Sequence, residues 1–253
     1  MTVTRGSFAG SERLEWLSER LDREGAVTIS HAADVLAVSE MTIRRDLDEL
    51  ESRGTARRVR GGAKAIGPAT FAERHDLAAG AKARIAAKLG DLLPSSGVVA
   101  FDASSTVLRL AAHLADARDL QVLTNGPDTF ASLQDRPGVA PLLTGGRLDL
   151  RTGSFVGPLA CRTAEALAPD RFFCSAAAVS VDSGPMEATL DDAEVKRAMA
   201  RSAGEVVLAV DSSKLGGRAP ASSLEWSRVD RLVTELDPDD ERLAEYRDLL
   251  EVC

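Results

Sequence analysis

No stretch of this 253-residue sequence approaches the roughly 18–20 consecutive apolar residues that a bilayer-spanning helix needs, and Met1 to Gly10 lacks a charged-then-apolar secretion pattern. A cytoplasmic protein with no membrane partner is expected. Cysteine is equally scarce: Cys161, Cys174 and Cys253 are odd in number, widely spaced and free of any CxxC pair, which supports neither a disulfide framework nor a zinc knuckle and leaves reduced thiols. The three histidines, His31, His75 and His113, are scattered, and no Ser-His-Asp or metal-ligand spacing stands out, so neither metal nor cofactor is expected. What is present is ordinary for a folded chain, with 44% hydrophobic and 28% charged residues, and the length suits one large domain or two modest ones.

The net charge of −8 argues against a chain that coats nucleic acid, but it is unevenly spread. Residues 1–66 hold 11 basic and 11 acidic side chains and are neutral overall, so residues 67–253 carry all of the −8. Within the neutral quarter, Arg53, Arg57, Arg58, Arg60 and Lys64 occur with no acid between them, a local +5 of the kind that meets phosphates.

Spacing predicts three short helices and a ribbon in that quarter. Ser11 can cap a helix carrying Leu14, Leu17 and Leu21, which Gly25 ends. Thr28 and Ile29 read as extended, Ser30 as the cap of a helix over His31 to Ala37, and Val38 with Ser39 as a turn. Ser39 then caps a helix from Glu40 to Ser52 with Ile43, Leu47 and Leu50 inward, closed by Gly54. The Arg-rich segment from Thr55 to Ala63 can return through Gly61-Gly62 as a hairpin. Two helices joined by a tight turn, the second facing outward with Ser39, Thr42, Arg44 and Arg45, form a helix-turn-helix whose second helix fits the major groove of double-stranded operator DNA. Arg57, Arg58 and Arg60 on the adjoining wing suit the phosphate backbone. The plainer alternative is a surface helix in which Arg44 or Arg45 pairs with Asp48 or Glu49 one turn on. The expected division is a winged helix-turn-helix over 1–64, a linker over 65–76 around Gly67 and Pro68, and an α/β domain over 77–253.

The run Val38-Ser-Glu-Met-Thr-Ile-Arg-Arg-Asp-Leu-Asp-Glu-Leu-Glu-Ser-Arg-Gly54, followed by Arg58-Val-Arg-Gly-Gly-Ala63, resembles the DeoR family of bacterial transcription regulators. The resemblance implies a winged helix-turn-helix that reads an operator, with Ser39, Thr42, Arg44 and Arg45 at recognition-helix positions. One departure is Arg60, where the family commonly has histidine.

The rest of the chain alternates helical and apolar extended stretches: a helix near 77–93, strands at Val98–Phe101, Gln121–Thr124, Ala140–Thr144, Phe172–Val181, Val206–Val210 and Leu232–Thr234, a helix after Ser105, and helices at Ala193–Ala203 and Asp239–Leu250. Nearly all-apolar strands separated by helices predict a mostly parallel sheet covered on both faces, with ligands beyond the strands' carboxyl ends. Four strand ends carry suitable groups: Asp102, Ser104, Ser105 and Thr106; Thr124 and Asn125; Gly145, Gly146 and Arg147; Asp211 and Lys214. Small hydroxylic residues at a helix start suit an anion, paired glycines admit a close ligand, and Arg147 and Lys214 can offset phosphate charge. Each is also a common turn or cap when taken singly.

These segments resemble the DeoR sensor domain, which is similar to the ribose-5-phosphate isomerase fold. Gly145-Gly146, Ser154, Gly157 and Ala160 meet its glycine-pair pattern, Asp192 to Met199 its acidic, lysine-containing helix, and Asp211, Ser213 and Lys214 its Asp-x-Ser-Lys motif. The resemblance implies an effector that is a phosphorylated sugar or sugar alcohol and alters operator binding; Asp182 and Glu194 are further carboxylates counted with the effector set. Ser104 stands where the family usually has glycine, and Ala176 to Asp182 replaces a glycine-bearing strand end.

The expected function is therefore a non-enzymatic regulator, a repressor of a sugar or sugar-alcohol operon, acting as a homo-oligomer (dimer or tetramer) on near-palindromic DNA. The alternative is a sugar-phosphate isomerase-like enzyme with a DNA-binding module, for which Asp182, Asp211, Glu194 and Lys214 are the candidate acid, base and enediolate-stabilising groups. A third reading is a constitutive DNA binder whose larger domain only oligomerises.

Overall fold

The computed structural model describes residues 10–67 and 69–253. Met1 to Ala9 of the expected first domain and Pro68 of the expected linker lie outside the described residues. The chain separates into two compact units, one running to Arg74 and including Leu150–Thr152, the other holding His75–Asp149 and Gly153–Cys253.

In the first unit, α1 (Gly10–Glu24) lays Leu17 and Leu21 into a core completed by Ile43, Leu47 and Leu50 of α3 (Glu40–Ser52). Ser11 lies inside α1 rather than capping it, because the helix begins at Gly10. β1 (Ala26–Thr28) is followed at once by α2 (Ile29–Leu36), so Ile29 is helical and Ser30 is not the cap. The Ile29 amide donates to Gly61 O at 2.9 Å, which ends the strand, and its side chain is 2% exposed in the core. Ala37 turns the chain in the left-handed region (φ 53°), and Ser39 accepts from the Thr42 amide at 3.1 Å to start α3 as expected.

β2 (Ala56–Val59) and β3 (Gly62–Ala65) form the hairpin, turning through Arg60-Gly61, and β3 also pairs with β1 to give the order β1-β3-β2. Gly62 is dictated by close approach, since a Cβ there would sit 2.0 Å from Val27 O. α4 (Phe71–Asp76) follows.

The second unit is built around a seven-stranded sheet, and its elements run in chain order α5 (Ala79–Gly90), β4 (Ser96–Phe101), β5 (Asp119–Thr124), α6 (Pro127–Leu133), β6 (Val139–Leu143), β7 (Arg147–Asp149), β8 (Ser154–Val156), α7 (Pro158–Glu165), β9 (Arg171–Cys174), β10 (Ala178–Ser180), β11 (Gly184–Glu187), α8 (Leu190–Ser202), β12 (Glu205–Ala209), β13 (Ala221–Ser222), β14 (Arg231–Val233), α9 (Ala244–Arg247) and β15 (Glu251–Val252). The main sheet runs β15-β14-β12-β9-β4-β5-β6 and is parallel throughout. Its neighbours in sequence, Phe172 and Phe173, point to opposite faces and enter separate cores, as do Val206 and Val207. The chain leaves β4 for β5 and β6 on one side and returns to β9 on the other, so the strand order reverses between β4 and β9.

Four expectations are corrected. The helix near 77–93 is the shorter α5, cut off from α4 by Ala78 in the left-handed region (φ 52°). The helix after Ser105 is a 3-10 helix, Val107–His113. The strand expected over Phe172–Val181 stops at Cys174, because Asp102 takes the Ser175 amide at 2.8 Å and draws the chain out of the sheet; Ala178–Ser180 belongs instead to a small sheet, β10-β11-β13. The final helix shrinks to one 3-10 turn, Glu241–Leu243, and α9, since Glu251–Val252 must return to pair with β14. Among the described residues no helix is long and apolar enough to cross a membrane.

Candidate DNA interface and ligand site

In the first unit α3 and the hairpin both carry exposed charged side chains. Arg13 of α1 holds α3 through two hydrogen bonds to Asp46, 2.8 and 3.1 Å long, with both side chains mostly buried, a fork-to-carboxylate pairing that fixes the helix in angle as well as position. Arg13 is held above its usual pKa by the Asp46 bond. The seven residues expected to face DNA then divide. Ser39 and Thr42 are joined hydroxyl to hydroxyl at 2.9 Å, in addition to the cap bond. Arg44 pairs back to Glu40 at 3.2 Å, rather than forward to Asp48 or Glu49. Arg58 turns inward to α3, with Nε 3.2 Å from Asp48 Oδ1 and its amide donating to Glu51 at 2.7 Å, so it ties hairpin to helix. Arg45, Arg57 and Arg60 are exposed and carry no ion pair among the described residues. Arg57 sits directly across the hairpin from Lys64, a like-charge pair that repels until an anion lies between the two.

In the second unit the expected ligand groups lie after four strands of the sheet, β12, β4, β5 and β6, with β9 between the first two. At about 4.8 Å per strand these ends span about 19 Å, wider than a single small ligand. Asp102, after β4, is 6% exposed: Oδ1 accepts from the Ser104 amide at 3.0 Å, and Oδ2 from the Ser175 amide at 2.8 Å and from Lys196 Nζ at 3.0 Å. Ser104 Oγ accepts from the Val107 amide at 3.1 Å, Ser105 accepts from buried Lys82 at 3.0 Å, and Thr106 is buried. After β5, Thr124 Oγ1 accepts from the Gly126 amide, while Asn125 donates to Phe155 O at 3.2 Å and leaves its own Oδ1 buried without a hydrogen-bond partner among the described residues.

The remaining candidates are further out. A Cβ on Gly145 would meet nothing, whereas one on Gly146 would sit 2.7 Å from Val156 O. Arg147 is exposed and paired with Asp191 at the start of α8. Asp211 caps its own turn through Ser213, and Lys214 reaches Ala176 O at 2.6 Å. The structure does not bring Asp182 or Glu194 to this cluster: Asp182 is exposed in the turn between β10 and β11, and Glu194 pairs outward with Arg197 at 2.7 Å.

Sequence reasoning missed the centre of the cluster. Lys196 of α8 is 6% exposed, with Nζ 2.6 Å from Glu187 and 3.0 Å from Asp102, and it also donates to Ser175 O. Burial works against its ammonium, but the two carboxylates outweigh that and hold it above the ordinary lysine range. Burial pushes the Glu187 carboxyl up, against the pull of Lys196, and raises the Cys174 thiol beside them. Ser175 Oγ is buried without a hydrogen-bond partner among the described residues. The signal for Lys196 was its position in a helix whose neighbours Ala193, Val195, Ala198, Met199 and Ala200 are all apolar.

A model of the DeoR-like helix-turn-helix domain matches residues 13–69, and one of the DeoR C terminal sensor domain matches residues 78–236. The HTH-type transcriptional regulator GolR of Listeria innocua is 30% identical over 228 residues, 88% of this chain and 90% of that protein. The lactose phosphotransferase system repressor of Lactococcus lactis is 30% identical over 243 residues, 92% of this chain and 94% of that one. Among solved structures, ribose 5 phosphate isomerase A from Neisseria gonorrhoeae aligns with a TM-score of 0.37 and 16% identity over 54% of this chain and 53% of that chain.

Proposed function

Because the chain belongs to the DeoR family of transcriptional regulators, we propose that it represses a sugar or sugar-alcohol catabolic operon, binding double-stranded operator DNA through its first unit and a phosphorylated sugar through its second. The observation that carries the DNA half is the set of exposed cations without an ion pair among the described residues, Arg45 on α3 and Arg57, Arg60 and Lys64 on the hairpin, beside a helix that Arg13 and Asp46 hold in place. Arg45 is the base reader, and the hairpin cations hold phosphates. Arg58 contributes by bracing the hairpin against α3. Two copies bind a near-palindromic site, as a homodimer or within a tetramer.

Two orphaned polar atoms support the effector half. Asn125 Oδ1 and Ser175 Oγ follow β5 and β9, the strands on either side of β4, where the strand order reverses. Two hydroxyls of one sugar, one donating to Asn125 Oδ1 and another bonding Ser175 Oγ, satisfy both across the roughly 10 Å that separates the ends of β5 and β9, with Asp102, Ser104, Ser105, Thr106 and Thr124 around them. Gly145, Gly146 and Arg147 at one edge and Asp211 and Lys214 at the other belong to its rim. Similarity to a lactose phosphotransferase system repressor supports a sugar-derived effector. The test is fluorescence anisotropy of the full chain on DNA from its own promoter at two salt concentrations, with a panel of phosphorylated sugars. Tight, salt-sensitive and sequence-preferring binding that one phosphosugar changes is expected. Phosphosugar binding without any DNA binding would overturn the reading and make isomerase turnover the next assay.

A further inference from the structure

We infer that Met41 reads a thymine methyl group in the major groove, beside the base pair that Arg45 contacts. This rests on the proposed DNA-binding role and adds a residue to it that the cation pattern alone does not name. The first two turns of α3 leave few side chains able to reach a base. Ser39 and Thr42 are bonded to each other and to the helix start, and Arg44 is paired with Glu40. Met41 is 60% exposed and Arg45 is exposed with no ion pair among the described residues. The two are four residues apart, so they share one face of the helix.

A single exposed methionine is unremarkable on a surface that meets only water. This one stands one helical turn before the exposed Arg45, in a unit whose hairpin adds Arg57, Arg60 and Lys64, exposed and without an ion pair among the described residues, and that charge suits a polyanion. Among base edges in the major groove, the thymine C5 methyl is the apolar group available to a methionine, as the guanine edge is the match for arginine. Four residues of helix rise about 6 Å, against about 3.4 Å per base pair, which puts the thymine within about two base pairs of the guanine held by Arg45.

The experiment first selects a half-site from randomised duplexes with the full-length chain, then replaces each thymine in turn by deoxyuridine, which removes only the methyl. Affinities are measured by anisotropy for the wild type, Met41→Ala and Met41→Leu. At one thymine in each half-site the wild type should weaken roughly fourfold on deoxyuridine, the worth of one buried methyl-sized group. Met41→Ala should bind both duplexes alike, and Met41→Leu should keep the difference. Equal losses on deoxyuridine in wild type and Met41→Ala overturn the inference and leave DNA binding standing. A chain that selects no sequence overturns the DNA reading and the inference with it.

Discussion

Lys196 Nζ lies 3.0 Å from Asp102 Oδ2 and joins two residues 94 positions apart in the chain. The pair ties α8 to the end of β4 where the strand order reverses, and Glu187 completes it at 2.6 Å. Two carboxyl groups share one ammonium in a dry setting, so the lysine is what makes the burial of either carboxylate tolerable.

Lys196→Met should therefore cost the second unit about 3–5 kcal/mol, the range for breaking one side of a buried ion pair. For a unit of this size that is a fall of roughly 6–20 °C in its thermal transition. Calorimetry of the full chain checks it, and an unchanged transition would contradict the central placing of Lys196.

In the first unit, Gly62→Ala places a methyl 2.0 Å from Val27 O, and neither strand can yield without losing the β1 and β3 ladder. Loss of DNA binding with retention of the second unit's thermal transition is expected. Wild-type affinity in the variant would show that the hairpin tolerates displacement.

Burial alone would raise the Glu205 carboxyl, but hydrogen bonds from Arg171 and Arg231 outweigh it and hold the group below its ordinary value of 4.5. A depressed carboxyl stabilises the fold above its unfolded pKa and loses that contribution as pH falls through the folded one. Glu205→Gln should thus be less stable than wild type at pH 7, and the gap should close as pH drops below about 4.5. Thermal melts at several pH values decide this. A gap that stays constant with pH would assign Glu205 no charge-dependent role.

The elements that were legible in the sequence are those whose signals are local. Ser39 and the spacing of Ile43, Leu47 and Leu50 specify α3 with no help from distant residues, and the glycine pair signals the hairpin, though its turn falls at Arg60-Gly61, one residue before the expected Gly61-Gly62. The end of β9 was not legible, since nothing between Phe172 and Val181 breaks a strand and the break comes from Asp102, 73 residues away. Leu243, Tyr246, Leu249 and Leu250 have helical spacing, but pairing of Leu232 with Val252 overrides it. In the ligand site Asp102 and Asn125 were readable as polar strand ends. Lys196 was hidden because a lysine is almost never fully buried unless paired, and its partners lie on other elements.

Arg57→Ala and Arg60→Ala should each weaken DNA binding about equally on specific and random duplexes and lower the salt slope by about 1, while Arg45→Ala should relax base preference at one position. Anisotropy against a salt series separates the two behaviours. Loss of sequence preference in Arg57→Ala would move the reading role to the hairpin.

The most direct test of the account is the reciprocity of its two ligands. The operator affinity of the full chain is measured with and without the phosphosugar that acts on it, and the affinity for that sugar with and without operator. Ligand-controlled repression predicts that each changes the other by the same factor, at least tenfold, or about 1.4 kcal/mol of coupling. Tight binding of both with no mutual effect would contradict it, leaving a DNA-binding unit and a sugar-binding unit that do not communicate.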